Sequence, residues 1–281
     1  RNKGIEAVVN YTVLRKKAFS WDMTLNFNRM RNKVVGLPKS VSEYYISDTW
    51  LYTARGGLTL GGPTTSITGS TYTRNLAGQI LINPANGLPI TDATYRIIGD
   101  RNPNFTTGWM NTIRYKNWRV SMLWDLKVGG DIFNGTNRFM TVNGISPYTK
   151  DRYVPRVIQG VLRDGLENTA TPTINTISII PAFNDAYYTL PDEEFIERDV
   201  NFFRLRDLTI SYTFKKNFIK GFKNLGAFVT GNDLILLTNY SGADPSVNGN
   251  TAGSRGVGAF GFDYGTLAAP MQVNVGIKAA F

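Results

Sequence analysis

Residues Phe19, Trp21, Met23, Leu25 and Phe27 are apolar, while Ser20, Asp22, Thr24, Asn26 and Asn28 between and after them are polar. A side chain that changes face at every residue is the mark of an extended strand with one dry and one wet face. The period recurs at Trp118, Val120, Met122, Trp124 and Leu126, with Arg119, Ser121, Leu123, Asp125 and Lys127 in between. It returns at Met271, Val273, Val275, Ile277, Ala279 and Phe281. Weaker versions occupy 5–13, 108–115, 205–214 and 225–236. The sequence therefore predicts about seven strands, each near the roughly 9–11 residues that a tilted strand needs to cross a bilayer. Strands of soluble proteins are usually nearer 5–6 residues.

The connections sort by length. Those at 14–18, 116–117 and 215–224 are short and basic, whereas 31–104, 129–200 and 239–269 are long. Compact soluble domains rarely carry structureless loops of such length. Short and long connections alternate along the chain, so all short ones fall on one side of the sheet and all long ones on the other. Bacterial outer-membrane barrels have this layout, with short periplasmic turns and long extracellular loops. The fold class expected is thus all-β, a transmembrane antiparallel β-barrel. A soluble β-sandwich with buried aromatics is the alternative. An open sheet cannot span a membrane, because every backbone polar group in lipid must be paired. Further strands are expected upstream or from another chain. The sequence starts at Arg1 within a pattern already under way, as a fragment would.

Aromatic positions agree with a membrane. Tyr11, Phe19, Trp21, Tyr115, Trp118, Tyr212, Phe214 and Phe281 lie near the short connections or the last strand's end, as a headgroup-level girdle would. The alternation puts Asp22, Arg114 and Arg119 on the lumen side. Two arginines opposite each other repel, so Asp22 is expected to pair with Arg114 or Arg119, unless both meet acids of a plug or simply face lumen water. Net charge is +10. The basic residues are parcelled into separate turns, where they suit anionic lipid headgroups; nucleic-acid binding would interleave them with aromatics along one groove. With no Cys and no His, thiol nucleophiles, disulfides and imidazole chemistry are excluded.

Several segments resemble one family. Arg198–Phe214, reading RDVNFFRLRDLTISYTF, and Gly231–Pro245, reading GNDLILLTNYSGADP, are similar to late-barrel blocks of the SusC/RagA-type TonB-dependent outer-membrane transporters. So are Gly99–Phe105, Asn111–Tyr115, Gly129–Gly135 and the opening Asn2–Glu6. The resemblance implies the C-terminal part of a barrel of about 22 strands with a plugged lumen, the plug lying outside this sequence. It implies a SusD-type surface lipoprotein and TonB as partners, and import of oligosaccharides or peptides. A passive porin, a siderophore-type transporter, and a secreted β-sandwich adhesin or carbohydrate-binding module are the alternatives. Relatives often carry an acidic stretch where this chain reads Asn83–Pro89 without carboxylates. A Ca²⁺-type site needs several such oxygens, so no metal is expected there, and no cofactor elsewhere. Phe281 resembles the terminal aromatic signal read by the barrel-assembly machinery.

Other motifs are weaker. Gly256–Gly261 matches GxGxxG, but a strand rather than a helix follows, with no acid about 20 positions on. It is read as an extracellular loop, with Phe260, Phe262 and Tyr264 as partner or ligand contacts. Asp192, Glu193 and Glu194 are consecutive in a long loop and are read as solvated. Tyr44, Tyr45, Trp50, Tyr52, Tyr187 and Tyr188 are the loop aromatics placed to stack on a ligand, or to pack loop on loop or on the lipoprotein.

Overall fold

The computed structural model describes residues 1–51, 53–216, 218–247 and 260–280, with backbone only for 45–51. Seven strands form one antiparallel sheet: β1 (Asn2–Lys16), β2 (Phe19–Asn32), β3 (Phe105–Tyr115), β4 (Trp118–Val128), β5 (Phe202–Thr213), β6 (Asn224–Thr238) and β7 (Gln272–Ala280). Each pairs with its sequence neighbours, giving an up-and-down meander. β1 to β6 outrun the predicted strands at one or both ends, whereas β7 stays within the predicted 271–281. β1 stays paired with β2 as far as Lys16, so only Lys17 and Ala18 turn. Lys116, in the two-residue turn between β3 and β4, takes a left-handed φ of 51°.

One register unites the wall. The rung Thr12, Asp22, Thr112, Ser121, Thr209, Thr230 and Asn274 crosses all seven strands and is wholly polar. The neighbouring rung Leu14, Trp21, Ile113, Val120, Ile210, Val229 and Val275 is wholly apolar. The sheet thus has two faces of opposite character, as period two requires. Among the described residues no second sheet covers the apolar face, where Val275 is 77% exposed.

The buried core lies in the long connections instead. Ala54, Ile67 and Ile98 from 33–104, Phe133 and Phe195 from 129–201, and Phe262 from 239–271 form one cluster. A second joins Ile132 and Val200 to Tyr240 and Val247. Burying each large side chain contributes about 1.5–3 kcal/mol, so the three connections fold as one loop cap. Sequence period alone missed its internal order. Strands Tyr44–Leu51, Ala54–Leu58, Ser66–Tyr72 and Thr91–Asp100 form a four-stranded sheet, and helix α1 spans Gly135–Val142.

Gly129 and Gly130 join wall to cap. Gly130 has φ 91°, and a Cβ there would stand 2.7 Å from the Arg101 carbonyl oxygen. Only glycine fits both the left-handed backbone and the close approach.

Candidate functional site

The site has three parts: a polar wall face, an aromatic band on the opposite face, and the cap that closes one end.

On the polar face, Asp22 accepts from Arg114 Nη1 at 2.8 Å, Arg15 Nη2 at 3.3 Å and Thr12 Oγ1 at 2.9 Å. Arg119 stands directly opposite Arg114 in the register. It has no carboxylate partner among the described residues and lines a groove of about 710 Å³ with Ser211, Phe228 and Lys278. Of the two arginines weighed for Asp22, the structure brings Arg114 to it. Polar contacts continue across the strands: Thr209 with Thr230 at 2.9 Å, Asn232 with Asp207 at 3.2 Å, and Arg206 with Asp125 at 2.6 Å. Arg206 is the extra residue of a β-bulge, which breaks the alternation read from the sequence.

On the apolar face, Phe19, Tyr115, Trp118 and Tyr212 are consecutive neighbours in one rung. Trp118 and Tyr212 have ring centroids 4.8 Å apart, and Tyr212 and Phe214 5.1 Å. Tyr11 and Trp21 sit deeper on the same face. Phe281 lies outside the described residues. A second aromatic band, unread in the sequence, lies toward the cap: Phe27 stacks on Phe105 at 5.7 Å and Trp124 on Phe203 at 4.6 Å. From Phe105 to Tyr115 the strand spans about 33 Å at ~3.3 Å per step, or about 25 Å in height at ~40° tilt, the height of an outer-membrane apolar band. Between the bands, Trp21 Nε1 donates to Asn111 Oδ1 at 3.0 Å. That bond satisfies the polar Asn on the apolar face.

The cap is tied by buried ions. Asp192 is 0% exposed. It is paired with Arg138, accepts from Thr53 Oγ1, and takes Ser70 N–H and Oγ at 2.9 Å each. Glu193 accepts from Tyr72 N at 2.6 Å and Arg74 at 2.9 Å; Glu194 accepts the Tyr72 hydroxyl at 3.0 Å. The solvated reading is therefore corrected for Asp192 and Glu193, whose cationic and N–H partners sit over 50 residues away, where sequence spacing cannot show them, while Glu194 is exposed. Burial and Glu194 push the Tyr72 hydroxyl well above its usual range.

Arg204, 2% exposed, joins the wall to the third long connection. It donates to Asp233 Oδ1 at 3.1 Å and to Asp244 Oδ1 at 2.5 Å. Asp233 takes a left-handed φ of 50° in the bulge of β6. Burial pushes the Asp244 carboxyl up, but the Ser246 N–H and Arg204 outweigh it and hold it below the usual range. Tyr240 donates to Asp263 at 2.5 Å, and Ser241 N donates to Glu197 at 2.9 Å. The YSGADP segment is thus a fastening. Its signal in the sequence is an arginine inside a period-two strand.

Arg101 fastens the first connection to the third. Its Nε donates to Thr65 O and its Nη1 to Phe260 O, both at 3.0 Å. Burial lowers its guanidinium to about 10, so it stays charged at neutral pH.

The loop aromatics divide. Tyr44 and Tyr188 are exposed, the latter 76%. Tyr187 is half-buried, accepts from Arg156 at 2.6 Å and meets Tyr148 edge-on. Phe260 lies 4.6 Å from Arg101, and Tyr264 meets Phe139 edge-on. Phe262 is 0% exposed. Its expected contact role is corrected: it packs 6.1 Å from Phe133 in the cap core. The side chains of Tyr45 and Trp50, together with Tyr52 and most of the glycine-rich segment, lie outside the described residues.

No family model matches the chain. Over its whole length it is 26% identical to TonB-dependent receptor P3 of Formosa agariphila and 23% identical to TonB-dependent receptor P26 of the same organism. It spans 28% and 29% of those receptors. Among solved structures it superposes on a chain of the RagAB peptide transporter with a TM-score of 0.63 at 17% identity, covering all of this chain and 29% of that one. The fold is that of the matched part of that transporter chain. The RagAB peptide importer in the 'open-open' state gives a TM-score of 0.61 at 15% identity. The SusC/RagA resemblance read from the motifs agrees with these likenesses, and the barrel wall's β1 to β7 are the seven strands expected.

Proposed function

We propose that residues 1–281 are part of the barrel domain of an outer-membrane, TonB-dependent importer of a bulky nutrient, working with a SusD-type lipoprotein. One observation carries the reading. Seven consecutive strands share one register with a wet and a dry face, and all the long connections gather in a cap on one side. Among the described residues no helix is long and apolar enough to cross a membrane, so crossing would fall to the strands. The apolar face meets lipid between its two aromatic bands, and the polar face lines the lumen. TonB acts through a plug segment, and the barrel-assembly machinery inserts the wall. Binding and gated passage need no covalent chemistry, and the reading includes no enzyme activity.

The test uses the full-length protein. It should fractionate with outer membranes, migrate faster on unheated than on heated gels, and support growth on a polymeric nutrient only while TonB and the adjacent lipoprotein are present. Uptake that survives loss of TonB would mean a passive porin. Uptake independent of the lipoprotein would favour a siderophore-type transporter. A monomer soluble without detergent would return the β-sandwich reading.

A further inference from the structure

Between the start of α1, the Ser146–Pro147 turn and the Ser241–Ala243 segment lies a cavity of about 550 Å³. Its volume is within the roughly 300–1,000 Å³ of ligand sites. Thr136, Asn137, Ser146, Ser241 and Thr266 bring hydroxyl or amide groups to it, and Met140 forms an apolar wall.

Among the described residues no cationic side chain faces it. The lining contains one ionisable residue, Asp263, and both of its oxygens are engaged. Oδ1 takes the Thr136 hydroxyl at 3.0 Å and Thr266 N–H at 3.3 Å; Oδ2 takes the Tyr240 hydroxyl. An anionic ligand would lose water here without gaining a counter-charge. Neutral donors are in surplus. The Asn137 Oδ1 is held by Ser146 Oγ at 3.0 Å and Thr141 Oγ1 at 3.4 Å. Among the described residues its amide nitrogen, like the Thr266 hydroxyl, has no hydrogen-bond partner. The frame is fixed, since buried Asn134 accepts from Asn137 N at 2.8 Å and donates to Glu197 at 2.7 Å.

We propose that this cavity binds an uncharged sugar unit. Hydroxyls projecting around a ring match donors and acceptors spread over three walls, while ring C–H groups suit Met140. An extended peptide would instead use a strand edge for its main-chain hydrogen bonds. The walls here are a helix start and two turns, and the two strand residues that line it, Asn134 and Asp263, are paired with each other. The proposal rests on the importer reading only for what the bound unit is destined.

The experiment takes the full-length receptor in detergent against a panel of neutral gluco-, galacto-, manno- and xylo-oligosaccharides, acidic uronate oligomers and tetra-alanine. Asn137→Asp keeps the acceptor held by Ser146 and removes the free N–H donors; an acid is tolerated in a helix's first turn. Ala243→Trp fills the cavity. We expect at least one neutral oligosaccharide to bind, at least tenfold more weakly to either variant, with the heat-modifiable gel shift unchanged. Binding of only the acidic or peptide probes, binding indifferent to both variants, or no binding at all would overturn the proposal. A receptor that keeps its gel shift while failing this panel would separate that failure from failure of the importer reading.

Discussion

Arg204 and Asp244, 40 residues apart, form a 2.5 Å ion pair that ties a wall strand to the segment Tyr240–Ser246. Removing the arginine leaves Asp233 and Asp244 without their cation. A broken buried pair costs about 3–5 kcal/mol. Arg204→Ala should therefore raise hydrogen exchange at 240–247 sharply in detergent-solubilised protein, with little change in β2 or β3. Uniform exchange along the chain would mean that the pair fastens nothing locally.

The same pair sets a pH response. The Asp244 carboxyl sits below its ordinary value of 3.8 in the fold. A lowered carboxyl contributes stability that is fully present above the unfolded value and is lost as pH falls through the folded one. Protection at 240–247 should thus be flat from neutral pH to about 4 and fall below it. Asp244→Asn should remove that acid limb.

Asp192 is the corresponding knot between the first and second connections. Asp192→Ala takes the paired carboxylate from Arg138 and an acceptor from Ser70. The loss should again be about 3–5 kcal/mol. Limited proteolysis ought to cut within 53–74 and 181–200 in the variant, while β3 and β4 stay intact.

At the wall-to-cap hinge, Gly130→Val sets a branched side chain at φ 91° against the Arg101 carbonyl. Strain of about 1–3 kcal/mol follows from the backbone alone. The temperature at which the gel shift is lost should drop, and Gly36→Val, which meets open space, serves as the control.

Trp21 and Asn111 can be probed as a pair. Trp21→Phe or Asn111→Ala leaves one polar group unmatched on the apolar face, costing about 1–3 kcal/mol. The double variant should cost less than the sum, measured by urea unfolding in lipid vesicles. Strict additivity would show that the 3.0 Å bond does not hold in the bilayer.

The wall was legible because period two is a local property. Phe19 to Phe27 announce their strand without reference to any other residue. The bulges at Arg206 and Asp233 were not, because an extra residue gains its meaning from the partner strand. The cap was largely hidden for the same reason. Asp192 and Glu193 look solvated until Arg138, Ser70 and Tyr72 are brought to them. Phe262 reads as an exposed loop ring until Phe133 covers it. Asn111 falls on the apolar parity with nothing in its neighbourhood to explain it, since Trp21 is 90 residues away.

The cap's shared core has a bearing on how such a chain could be diversified. Ile67, Phe133 and Phe262 come from three different connections yet occupy one cluster. Transplanting any one connection from a relative would deliver a third of a jigsaw to a frame cut for other pieces. New specificity would then arise through point changes at the surface, or through exchange of all three connections together.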